Sequence, residues 1–178
     1  YGIGALPLTK KLIKQVPKCH QPWYADDAGA AGKFSEIDNY FTLLSKLGPA
    51  RGYFPEPSKS ILIVKPQSVE RAKARFAHLG FQVVTGARYL GGHVGTEESK
   101  MEWVRKKIDV WTAAVRSLAK VARSSPHCAF VGLIKSLQSE WIHLQRVLDG
   151  IKDEFGPVEQ DLSCLLYTSD AADEMDGV

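Results

Sequence analysis

Trp23-Tyr24-Ala25-Asp26-Asp27, followed by Ala28-Gly29-Ala30-Ala31-Gly32, places two adjacent carboxylates behind an aromatic and a small residue. Pro22 precedes them, and the pattern predicts a strand that ends in a tight turn with both acids at a hairpin tip. Such a pair is a donor set for Mg²⁺, a hard cation that takes one or two carboxylates and leaves other positions to water and substrate phosphates. Two such ions about 4 Å apart activate an attacking hydroxyl and neutralise a departing pyrophosphate, which is what nucleotidyl transfer demands. The same two residues also suit an Asx-type turn in water, so the assignment depends on what else the chain supplies.

Three further stretches supply chemistry. Lys59 lies in the turn-rich Gly52-Tyr53-Phe54-Pro55-Glu56-Pro57-Ser58-Lys59-Ser60, just before the strand-like run Ile61-Leu62-Ile63-Val64. An ammonium there can stabilise or protonate a leaving pyrophosphate. Tyr89-Leu90-Gly91-Gly92 lies within a predicted strand from Arg88 to Val94, joined across Thr85-Gly86-Ala87 to another from Phe81 to Val84. Its glycines would let backbone approach a sugar-phosphate chain closely. A hairpin with a glycine bulge accounts for that stretch equally well. Finally, Arg105, Lys106, Lys107, Arg116 and Lys120 lie off the apolar seam of a predicted helix, where cations can meet phosphates.

The elements that must position these groups read as follows. Ile3, Leu6, Leu12, Ile13 and Val16 recur at helical intervals over residues 1 to about 15, with Pro7 as a kink or start. Ser35 is the expected N-cap of a helix with Ile37, Tyr40, Phe41, Leu44 and Leu47 on one face, closed by Gly48-Pro49. Ser68 caps a shorter helix with Val69, Ala72, Phe76 and Leu79 inward, closed by Gly80. From Glu97 the pattern becomes two long helices. Met101, Val104, Ile108, Trp111, Val115 and Leu118 form one seam. Phe130, Ile134, Leu137, Trp141, Leu144 and Leu148 form the other, after the connector Ser124-Ser125-Pro126. A link that short predicts antiparallel packing, with the tryptophans in the core.

Composition narrows the function classes. The chain has 178 residues, 44% hydrophobic and 24% charged, a globular profile with no apolar run long enough to cross a bilayer. Cys19 and Cys128 are far apart with no ligand-spaced partner, so reduced thiols are expected in place of a zinc site, and an intracellular setting (cytoplasmic or nuclear, not secreted) follows. The C-terminal Cys164-Leu165-Leu166-Tyr167-Thr168-Ser169-Asp170-Ala171-Ala172-Asp173-Glu174 resembles a translated transposase adapter of the kind used in sequencing libraries, so 164–178 is expected to be non-native. Setting aside its four acids leaves 23 basic against 16 acidic residues, or +7, which favours a polyanionic partner.

In order along the chain, Tyr24-Ala25-Asp26-Asp27, then Pro57-Ser58-Lys59-Ser60, then Tyr89-Leu90-Gly91 resemble motifs C, D and E of reverse transcriptases, closest to those of retrotransposon or LINE-like elements. The resemblance implies an α+β fold: the C-terminal half of a polymerase palm over 1–95, with antiparallel hairpins and packed helices, followed by an α-helical thumb over 96–150 and a linker over 151–163. It implies an RNA-directed DNA polymerase with Asp26, Asp27 and Lys59 catalytic, Asp26 and Asp27 holding two Mg²⁺ (or Mn²⁺) ions, and an RNA template, a DNA primer and dNTP as partners. Tyr24, Tyr89, Leu90, Gly91, Gly92 and the five helix cations would touch nucleic acid. The aspartate of motif A, the fingers and most of motif B would lie upstream of Tyr1 in the same polypeptide, so the fragment alone is expected to be inactive. An RNA-dependent RNA polymerase, or a non-catalytic nucleic-acid-binding remnant of a decayed element, remains open at this stage.

Overall fold

The computed structural model describes residues 2–163, so the adapter-like stretch lies outside the described residues. The chain is an α+β protein that divides into two compact units: Tyr1–Leu62 with Pro66–Val83, and Ile63–Lys65 with the residues from Val84 on. This division differs from the boundary expected after residue 95. The glycine-bearing hairpin of residues 86–95 lies within the second unit, where its strands pack on the long helix that follows it.

In the first unit, α1 (Gly2–Gln15) contains Pro7 and buries Leu8 and Leu12, with Val16 completing the stripe one step past its end. These positions repeat every four residues. The stripe is shifted from the expected one: Ile3 is 90% exposed, and Leu6 and Ile13 are about half exposed. α2 (Phe34–Leu47) buries Tyr40, Phe41 and Leu44, as its periodicity predicts, but Lys33 stands at the N-cap with no side-chain cap bond and Ser35 lies inside the helix. Gly48 follows, and a Cβ there would come within 2.5 Å of the Tyr53 carbonyl and 2.7 Å of the Leu44 carbonyl, so the chain can reverse this tightly only with glycine.

Between α1 and α2 lies the hairpin of β1 (Trp23–Tyr24) and β2 (Asp27–Ala28). α3 (Val69–Phe76) is pinned to α2 by the edge-on contact of Phe34 with Phe76 at 5.6 Å, and Phe81, past the end of α3, meets Phe41 edge-on at 4.8 Å. The Arg71 guanidinium lies 5.0 Å over the Phe34 ring, and Arg75 pairs with Asp38 at 2.9 Å. β3 (Ile61–Ile63) and β4 (Gln82–Val84) form a second two-stranded sheet.

In the second unit β5 (Gly86–Tyr89) and β6 (Gly92–Gly95) pair antiparallel from Gly86↔Gly95 to Tyr89↔Gly92. The single strand expected from Arg88 to Val94 is therefore a hairpin whose two-residue tip is Leu90-Gly91. Both tip residues have positive φ, 47° and 82°, the requirement of the turn that matches strand twist. α4 (Glu97–Ala122) opens at Thr96, whose hydroxyl accepts from the Ser99 amide at 3.3 Å. It buries Val104, Ile108, Trp111 and Val115 as the seam predicts.

The next helix is not regular. α5 (Pro126–Gly132) runs through a π turn, Leu133–Leu137, into α6 (Gln138–Val147). The widened turn absorbs one extra residue, so the seam through Leu144 and Leu137 continues to Leu133 and Ala129, not to Ile134 and Phe130. Phe130 is accordingly 59% exposed while Ala129 is 4% exposed. Residues 151–163 are not a linker. A 3-10 turn (Lys152–Phe155) and a helix over 156–163 bury Ile151, Phe155 and Val158 in the core formed by Val104, Ile108, Trp111 and Leu144. Burying one such side chain contributes about 1.5–3 kcal/mol.

Candidate functional site

Trp23 pairs with Ala28 and Tyr24 with Asp27, so the two pairs project from opposite faces of the β1–β2 ribbon. The Trp23/Ala28 face packs on the core that contains Leu12, Cys19 and Leu44, with the Trp23 ring 5.3 Å from that of Tyr53. The other face must then meet solvent. Tyr24 is 64% exposed, and Asp26 and Asp27 are both exposed. Ala25 and Asp26 form the two-residue tip, and Ala25 adopts φ 52°. A non-glycine residue there carries strain of about 1–2 kcal/mol, which the anchored Trp23 side and the His20↔Ala31 bridge behind it sustain.

The donor set at this tip is two neighbouring carboxylates. Among the described residues no group of three or more His, Cys, Asp or Glu side chains converges. Two exposed carboxylates are by themselves an incomplete donor set, and a hard cation held there would have to draw its remaining ligands from water and phosphate.

Lys59 belongs to the same unit. It ends a 3-10 turn, Pro57–Lys59, whose backbone is held by the Lys59 amide donating to Glu56 at 3.2 Å and by Ser60 Oγ donating to the Glu56 carbonyl at 2.9 Å. Its side chain is exposed and has no ion pair among the described residues. Phe54, 74% exposed in the same Pro-rich stretch, carries no signal in the sequence, because single exposed hydrophobics are common.

The remaining predicted contacts fall in the second unit. At the β5–β6 tip, a Cβ on Gly91 would lie 2.6 Å from His143 Nε2, and one on Gly92 3.4 Å from Val147 Cγ2. These glycines therefore already serve packing of the hairpin on α6. Leu90 is 44% exposed at the tip, while the Tyr89 hydroxyl is buried with no hydrogen-bond partner among the described residues. Next to them, His93 Nε2 lies 3.1 Å from Ser99 Oγ and its ring 5.8 Å from Trp103. Burial, and then the nearby Lys100 ammonium, push the His93 pKa below its ordinary value.

On α4, four of the five predicted phosphate contacts are engaged internally. Arg105 grips Glu154 through two bonds of 2.9 and 3.1 Å. That pairing raises the arginine pKa and lowers the glutamate's, through the hydrogen bond first in both. Arg116 pairs with Asp161 at 2.7 Å, and Lys106 with Glu102 at 2.6 Å. Lys107 sits 3.7 Å from Glu140 and over the rings of Trp103 and Trp111 at 5.9 and 5.7 Å. Lys120 alone of the five is exposed without an ion pair among the described residues. Sequence missed the acids Glu154 and Asp161 because their partners lie 49 and 45 residues away. Compared with known protein families, with curated proteins and with solved structures, the chain matches none.

Proposed function

We propose that this chain is the C-terminal part of a polymerase palm, with its helical thumb, from an RNA-directed DNA polymerase of retrotransposon or LINE-like type. The observation that carries the reading is the Tyr24-Ala25-Asp26-Asp27 hairpin: a two-residue turn, anchored through Trp23, with exposed Asp26 at its tip and exposed Asp27 beside it at the start of β2. Asp26 and Asp27 would hold Mg²⁺, which when bound lowers the charge repulsion between a primer hydroxyl and the α-phosphate it attacks. Lys59, exposed and without an ion pair, is available to donate a hydrogen bond or a proton to departing pyrophosphate. Tyr24, beside the acids on the exposed face, offers a ring to the incoming nucleotide or primer terminus. The order of the three motif-like segments along the chain, and the helical hairpin that follows them, support the same reading.

Activity on this view resides in a polypeptide that also provides the motif A aspartate. The test is primer extension on an RNA template by this chain joined to an upstream palm and fingers region. Asp26→Ala should lower extension by roughly a hundredfold to a thousandfold, the scale of removing a group that stabilises charge in the transition state. Extension unaffected by Asp26→Ala would remove the mechanism.

A further inference from the structure

From Val110 to Ser139 the chain contains no Asp or Glu, whereas Lys120, Arg123 and Lys135 fall within it. All three are exposed and none has an ion pair among the described residues, while Arg116, the other cation with a fixed charge in this stretch, is held by Asp161. Lys120 lies in the last turn of α4, Arg123 just past its end, and Lys135 in the π turn that follows α5. The π turn acts on the same place. By shifting the seam one residue it brings the small Ala129 and Gly132 against α4, where a Cβ on Gly132 would stand 3.2 Å from Leu118 Cδ2, and turns larger residues outward. Phe130, Val131 and Ile134 are 59%, 42% and 36% exposed. A regular helix would have buried Phe130 and Ile134, so the irregular turn leaves an apolar stripe beside unpaired cations.

We propose that this hairpin end is a docking surface for single-stranded nucleic acid, with Phe130 stacking on a base and Lys120, Arg123 and Lys135 neutralising phosphates. The inference rests on the nucleic-acid reading above and relocates the contact from the middle of α4 to its far end. Magnitudes favour this partner over a lipid surface. One ring is enough to hold one base. One ring and two short aliphatics are less apolar surface than a single acyl chain, which itself gives only marginal membrane attachment.

The probe is a fluorescent dT strand of about 20 nucleotides, long enough to span one binding site, titrated against the chain in EDTA without nucleotide. Binding should fall with salt at a log–log slope of about −2, the value for three phosphates on a single strand. Lys120→Ala with Arg123→Ala and Lys135→Ala should abolish that slope. Phe130→Ala should weaken binding roughly tenfold and Phe130→Tyr should not. Arg105→Ala with Lys106→Ala should change little. The inference is overturned if the strand does not bind, if the mid-helix pair matters and the hairpin end does not, or if phosphatidylserine vesicles bind and the strand does not. Because EDTA removes divalent ions, Asp26→Ala must leave this binding intact. Primer extension unaffected by Asp26→Ala, with hairpin-end binding observed, would therefore remove the polymerase reading alone.

Discussion

Among the described residues two hairpins have two-residue tips, and they differ in what holds them. In β1–β2 the tip is Ala25-Asp26, one face is anchored through Trp23, and the acids stand in water. In β5–β6 the tip is Leu90-Gly91, with Gly91 against His143 and Gly92 against Val147. Each puts a non-glycine residue at positive φ in its first tip position, Ala25 at 52° and Leu90 at 47°. The same backbone device thus serves opposite ends. One tip is held out with its carboxylates exposed to solvent, and the other is laid down on a helix so that its backbone is spoken for.

The sharpest way to break that contrast is at Gly91. Its φ of 82° is costly for any residue with a Cβ, and the added carbon would press on the His143 ring, which is exposed and can swing aside. Backbone strain then sets the cost: Gly91→Ala should destabilise the second unit by about 1–2 kcal/mol. Thermal or urea unfolding checks it. An unchanged midpoint would mean that the β5–β6 tip is not clamped.

Acidification should separate the hairpins next. His93 on β6 has its pKa lowered, by burial first and by Lys100 second. For a group whose folded-state pKa lies below its unfolded value, the unfolded chain binds more protons in between. Stability is therefore complete above the ordinary pKa of 6.5 and falls as pH drops through it. A melting temperature that declines below pH 6.5 should become flatter in His93→Gln, and an unaltered pH profile would remove His93 as the cause.

How much of this was legible depended on range. The α4 seam from Val104 to Val115 was readable because successive turns of a regular helix repeat one rule. The hairpin at the acid doublet was readable because an aromatic, a small residue and two acids satisfy local turn chemistry, although only Asp26 is in the tip and Asp27 opens β2. What failed was set by distant partners or by a departure from period. Pairing of Glu154 with Arg105 spans 49 residues, so 151–163 looked polar and uncommitted when it completes a core. The π turn moved Phe130 outward because apolar doublets, Ala129-Phe130 and Leu133-Ile134, satisfy two registers, and only packing against Leu118 selects one. Similarly, Leu90 gave no warning of a turn because leucine is a poor candidate for positive φ; Gly91-Gly92 was the only cue.

The smallest effect tests whether the two tips carry equal strain. Replacing a residue at positive φ by glycine relieves about 1–2 kcal/mol of backbone strain but returns about 0.5–1 kcal/mol through the freer unfolded chain. Ala25→Gly, at an exposed position whose methyl has little to lose, should therefore stabilise the first unit by about 0.5 kcal/mol. Leu90→Gly relieves the same strain but also removes a side chain that is only 44% exposed, so the apolar burial forfeited on its covered side should cancel the gain. Unfolding midpoints of the two variants, measured side by side, read the difference directly. Equal gains would mean that Leu90 packs on nothing, and that the β5–β6 tip is held by its glycines alone.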